Sequence, residues 1–178
     1  MTDPAHRSRP LRTRAAVRAL VLVATLLVPT GRARAEDGNG VHVFPELGMA
    51  SFGTEEGSYA VAGFRAASLS PNRPGVDFAL AAWLVPAVVL TSDLALAFPI
   101  GLGPDVRLVP RIGGTAFVVA GGGIGGFGLG PNAGLGLVVN ARGPVVLRVD
   151  GTLRRIGGGS LDEEDAVIMN SLTIGIAW

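Results

Sequence analysis

Residues 166–178 read A-V-I-M-N-S-L-T-I-G-I-A-W, and their alternation decides the fold. Leu172, Ile174, Ile176 and Trp178 are large and apolar, whereas Ser171, Thr173, Gly175 and Ala177 between them are small or weakly polar. Side chains of a strand point alternately to its two faces, so this period of two makes a strand with one greasy face and one small, wettable face. The segment stops on an aromatic with no polar tail.

Working outward from that strand, the same pattern recurs seven times. Candidate strands lie at 41–52, 59–69, 75–84, 87–100, 105–119, 127–140, 143–155 and 166–178, separated by stretches rich in Gly, Pro, Asn, Asp and Ser. Strands of this length exceed the usual globular mode of about 5–6 residues and suit a tilted membrane crossing, which takes about 9–11. No segment combines a 3.6-residue apolar period with capping residues, so the chain beyond its first 35 residues reads as all-β. The alternation is less clean in the second and fifth strands, which admits a bulge or a shifted register there.

The two faces differ in kind. In the seventh strand Val145, Leu147, Val149 and Leu153 oppose Arg148, Asp150, Thr152 and Arg154; in the fourth, Leu94, Leu96, Phe98 and Ile100 oppose Asp93, Ala95 and Ala97. A soluble sandwich would scatter Glu and Lys over its wet face. Here Lys is absent and the second face is Gly, Ala and a few charges. Small residues with sparse charges fit a narrow barrel interior, and large aliphatics fit lipid. Only a closed barrel satisfies every backbone group of a sheet in hydrocarbon, and eight strands close.

With these residues in view, the chain resembles the small, eight-stranded, porin-like or OmpA-like outer-membrane β-barrels of Gram-negative cell envelopes. In them a terminal aromatic preceded by alternating apolar residues is the assembly signal. The resemblance covers about residues 41–178 and rests on pattern; its most specific feature is the terminal strand. It implies an antiparallel up-and-down transmembrane barrel in the bacterial outer membrane, with outer-membrane lipid and the barrel-assembly machinery as partners, the latter through Leu172, Ile174, Ile176 and Trp178. With both termini in the periplasm, the turns at 70–74, 101–104 and 141–142 face the periplasm. The connections at 53–58, 85–86, 120–126 and 156–165 then face outward, and only the last two are long.

Composition and the amino terminus agree with export. The chain has 178 residues, 48% hydrophobic and 16% charged, with a mean hydropathy of +0.46. Its 27 glycines follow no collagen period, and the lack of cysteine excludes disulfides and thiolate metal sites. Residues 1–35 have the order of a secretory signal peptide: an Arg-rich start, an apolar stretch from Ala19 to Val28, then Ala33-Arg34-Ala35 as a small-x-small cleavage site. Seven of the fifteen arginines and one of the fourteen acids lie in 1–35, leaving eight against thirteen, a net charge of −5 for 36–178. The formal +1 of the whole chain therefore belongs to the leader, and nothing supports nucleic-acid binding.

Four constellations bear on function. Glu46, Arg65, Asp77, Asp93, Arg107, Arg111, Arg148, Asp150 and Arg154 share the inward face and form a candidate lumen charge network, with Glu46 expected opposite Arg65 or Arg148 because strands seven, eight, one and two adjoin at the closure. Gly121, Gly123 and Gly126 spell the dinucleotide fingerprint, but no helix follows to receive a pyrophosphate, so the glycines read as bends or lumen space. The acidic run Asp162-Glu163-Glu164-Asp165 matches no calcium loop and reads as solvated. His42, the one histidine after the leader, sits at the periplasmic end of its strand, far from the outer leaflet where the lipid A-modifying barrels work with His and Ser. Tyr59, Trp83 and Phe117, facing Gly128, Gly130 and Gly134, outline a candidate apolar recess open outward.

These readings favour a non-enzymatic membrane protein with a structural or surface-interaction role and no cofactor or metal. The alternatives are a small channel or hydrophobic-ligand conduit and, behind that, a lipid A-modifying enzyme. No residue pattern indicates an oligomeric state.

Overall fold

A computed structural model describes residues 40–53, 57–84, 88–121, 124–157 and 166–178. Their strands are β1 (Val41–Phe52), β2 (Tyr59–Ser68), β3 (Gly75–Leu84), β4 (Val88–Ala97), β5 (Ile100–Gly101), β6 (Val106–Gly121), β7 (Ile124–Val139), β8 (Val146–Ile156) and β9 (Val167–Ala177). All pairings are antiparallel between ring neighbours, in the order β4-β3-β2-β1-β9-β8-β7-β6, and pairing of β4 with β6 closes the circle. The terminal strand β9 joins the two ends of the sheet, pairing with β1 from Glu46↔Gly175 to Phe52↔Met169 and with β8 from Val146↔Ala177 to Ile156↔Val167. The barrel has eight staves, because β4 and β5 are one stave interrupted at Phe98-Pro99. Register is kept across the gap, with Ala97 opposite Arg111 and Ile100 opposite Leu108. Proline has no N–H to donate to the ladder, which is why the stave is split without bulging. Phe98 still donates its N–H to the Pro110 carbonyl at 2.9 Å.

The second and fifth staves carry no bulge. The β1–β2 ladder runs from Val41↔Ser68 to Ala50↔Tyr59 and the β6–β7 ladder from Val106↔Val139 to Gly121↔Ile124 without skipping a residue. Two boundaries differ from the sequence expectation. Residues 120–126 are not a long outer loop: β6 continues to Gly121 and β7 starts at Ile124. Gly126, Gly128 and Gly130 alternate there with Gly125, Phe127 and Leu129, and ladder hydrogen bonds hold glycine as well as any residue. At the other end the seventh stave starts at Val146, not at 143, since Asn140 adopts a left-handed backbone (φ 59) and its Nδ2 donates to the Val145 carbonyl at 2.5 Å. That side-chain bond makes the turn longer than the two residues foreseen. The leader at 1–35, the Val85-Pro86 connection, Gly123 and the acidic run 162–165 lie outside the described residues.

Both termini of the barrel, the start of β1 and the end of β9, stand at one rim, here the terminal rim; the hairpins after β1, β3, β6 and β8 stand at the distal rim. The outer wall is predominantly apolar. Leu47, Leu94, Ile112, Leu129 and Leu172 are each 58–62% exposed although they sit inside strands. The nine inward charges, by contrast, are all at most 6% exposed. Water would reverse that arrangement, and hydrocarbon requires it. No helix among the described residues is long and apolar enough to cross a membrane.

Candidate functional site

The lumen is filled in layers. At the terminal rim Phe44, Leu69, Val109, Val138 and Val146 pack with the small residues Ala67, Ala97, Ala141 and Ala177 as an apolar floor. His42 stacks on Phe44 with ring centroids 6.1 Å apart. Arg107 is placed in this layer and donates an Nη1 proton to the Leu69 carbonyl.

Above the floor lies the larger ion-pair cluster, three arginines with three carboxylates. Arg65 donates from Nε to Glu46 Oε1 at 2.7 Å and from Nη1 to Asp77 Oδ1. Arg148 reaches Asp77 Oδ2 with Nη2 at 2.7 Å and Asp150 with Nε. Arg111 donates to Asp150 Oδ1 and to Thr152 Oγ1, while the Thr173 hydroxyl donates to Glu46 Oε2 at 3.2 Å. β3 and β8 stand opposite each other in the ring, so the Arg148–Asp77 pair crosses the full diameter. Charges of matched sign and number, each hydrogen-bonded, are the condition under which ions persist in a low-dielectric interior. Arg148 also lies over the Phe44 ring, its Cζ 5.6 Å from the centroid, tying cluster to floor.

Nearer the distal rim is a second, smaller cluster. Arg154 grips Asp93 with two donors, Nε to Oδ1 at 3.0 Å and Nη2 to Oδ2, and gives Nη1 to Ser171 Oγ at 2.8 Å. Thr115 donates to Asp93, and Asn132 donates to Thr115 at 2.9 Å. Eight of the nine charges expected in the lumen are thus divided into two neutral groups, and the ninth, Arg107, lies in the floor. Glu46 takes Arg65 as its partner and not Arg148, because the long guanidinium of Arg148 reaches across the bore to Asp77 and along its own strand to Asp150. Thr115, Asn132, Thr152, Ser171 and Thr173 complete both groups and were not nominated. Their signal is parity: Thr115 and Thr152 share the face of charged neighbours on their own strands, Asn132 that of the alternating glycines of β7, and Ser171 and Thr173 that of the small residues on β9.

Inward glycines make room for these side chains. A Cβ on Gly134 would lie 2.7–2.8 Å from the guanidinium of Arg111, and one on Gly136 would lie 2.8 Å from Asp150 Oδ1. Gly134 and Gly136 of β7 therefore leave the space that the cluster occupies, whereas a Cβ on Gly130 would meet the backbone of β8 at Arg155 and Ile156.

The distal layer is apolar. Trp83, 1% exposed, packs with Ala50, Val61, Val89, Ile156 and Met169, and Phe52, Phe117 and Val119 join from the side. Phe52 stands 4.9 Å from Trp83 and 5.6 Å from Tyr59 between ring centroids. The Trp83 indole N–H donates to Thr91 Oγ1 at 3.3 Å, and Arg154 lies 6.0 Å over its ring. The space sketched as an outward recess between Tyr59, Trp83 and Phe117 is occupied, because Phe52 and Met169 swing in from the two strands at the closure. Among the described residues no group of three His or acidic side chains could hold a metal.

Neither a family model nor a curated protein matches the chain. Its fold is that of the eight-stranded outer-membrane barrels. It is similar to Neisserial surface protein A (17% identity, 77% of this chain and 95% of that one, TM-score 0.55) and to the attachment invasion locus protein Ail of Yersinia pestis (11%, 77% and 94%, 0.54). It is similar also to the N-terminal β-barrel domain of Pseudomonas aeruginosa OprF (12%, 77% and 97%, 0.53). At these identities the likeness is one of fold.

Proposed function

We propose that this chain is a non-enzymatic, integral outer-membrane protein whose sealed barrel serves as a structural or surface-presenting element. The observation that carries this reading is the inversion of the barrel: aliphatic side chains stand in the open on the wall, while every inward charge is buried and hydrogen-bonded. An eight-stranded bore is just wide enough for side chains, and here an apolar layer, two ion-pair clusters and a second apolar layer follow one another along it. Conductance would require breaking all of them. Planar-bilayer recording on the refolded protein is therefore expected to give no discrete steps in salt at moderate voltage. Regular single-channel openings would overturn the reading in favour of a pore.

The assembly machinery of the outer membrane is the partner that this reading requires, with β9 as the strand it handles. Trp178 is 65% exposed on the wall at the terminal rim. Deleting Trp178 is expected to leave purified protein able to refold in detergent and yet to lower its level in the outer membrane severalfold. Normal membrane levels of the deletion variant would remove β9 from that role.

A further inference from the structure

Among the described strands one charged side chain points outward. Arg155, at the distal end of β8, is exposed on the wall beside Ile168 of β9, whereas its neighbour Arg154 is buried in the lumen. No acid among the described residues stands on that wall to pair with it. One step along β9 on the same face is Asn170, directly opposite Ser51 of β1, whose hydroxyl donates to Asn170 Oδ1 at 2.6 Å. Ser51 and Asn170, with Ser58, line a shallow notch of about 260 Å³ at the β1–β9 seam, and Met49 and Leu172 form its wall toward the terminal rim. A guanidinium, an amide and two hydroxyls therefore interrupt the apolar surface at a single place, at the height where the strands end.

We propose that this place binds the phosphate of an anionic membrane lipid. It rests on the reading that the barrel spans a membrane. An arginine on a lipid-facing wall extends its head to the interface, where the abundant anions are lipid phosphates. Its planar fork matches a phosphate in two parallel hydrogen bonds. Diagonal neighbours across antiparallel strands lie about 7–8 Å apart, so Arg155 and Asn170 can share one headgroup. The Asn170 amide and the Ser58 hydroxyl supply further donors from the notch. Below it Met49, Leu172 and Leu153, all exposed, offer an apolar track for the acyl chain.

Native mass spectrometry of the full chain, purified from Gram-negative cells in non-ionic detergent, tests this with phosphatidic acid, phosphatidylcholine and inorganic phosphate as probes. The expected result is a one-to-one phosphatidic acid adduct on the wild type, with phosphatidylcholine bound about tenfold more weakly. Loss of one charge-assisted hydrogen-bonded pair corresponds to about tenfold or more in affinity, so Arg155→Gln should reduce the adduct by that factor, and Arg155→Lys, which keeps the charge without the planar fork, should fall between Arg155→Gln and the wild type. Asn170→Leu, which leaves every charge in place, should weaken it severalfold and covers the case in which Arg155→Gln fails to fold. Equal adducts on wild type and on these variants, or equal binding of the two lipids, would overturn the site. Displacement by millimolar inorganic phosphate would make it a phosphate site and overturn the lipid assignment. A chain that fails to enter bilayers at all would instead refute the membrane reading on which the site rests.

Discussion

Asp150→Ala is expected to destabilise the barrel by about 3–5 kcal/mol, the cost of removing one partner from a buried ion-pair cluster. Asp150 accepts from Arg111 and Arg148 and lies 3.7 Å from Arg65 Nε. Its loss leaves three guanidinium groups to two carboxylates inside a closed bore, where no water channel can solvate the surplus charge. Urea titration of folding into phospholipid vesicles measures the effect. A second replacement, Arg111→Met, should recover part of the loss, since it removes a cation that Asp150 no longer neutralises. Added salt should change neither result much, because buried pairs are screened far less than exposed ones. An Asp150→Ala variant as stable as the wild type would mean that the lumen is wet and that the cluster contributes little.

The second large effect belongs to the other face. Leu94 is 60% exposed near the middle of β4, between Asp93 and Ala95, which turn inward. Leu94→Arg puts a cation near the bilayer midplane and is expected to cost about 2–4 kcal/mol. Ala95→Ser, one residue away but facing the lumen, should cost less than about 1 kcal/mol, because a hydroxyl finds polar neighbours there. The same titration reads both. Equal losses would show that the faces of β4 are reversed or that the wall does not meet lipid.

How far the sequence reveals this molecule depends on which physical feature is asked for. The faces of β8 and β9 are legible because large aliphatics alternate there with charges or with small residues, and period two survives any detail of packing. Gly121–Gly130 is harder. Glycine serves as a turn residue and as a strand residue, and only the pairing with β6 reveals the second role. The charge set on the inward face is legible by parity, yet the partners are not, since parity says which way Arg148 points and not that it crosses the bore to Asp77. The recess expected at Trp83 fails for a related reason. Phe52 and Met169 are distant in sequence from Trp83; the β1–β2–β3 meander brings Phe52 against the indole, and closure of the ring through β9 adds Met169 to the same layer.

The central claim is that lipid touches the even-numbered side chains of β9 and the lumen encloses the odd-numbered ones. The chain has no cysteine, so single cysteines carrying a small fluorophore can be placed at successive positions from Ser171 to Ile176 in the full protein, folded into vesicles containing a lipid-borne nitroxide quencher. Strong quenching at positions 172, 174 and 176 with weak quenching at 171, 173 and 175 is the predicted result. Quenching without a two-residue period, or with the opposite phase, would contradict the inside-out barrel.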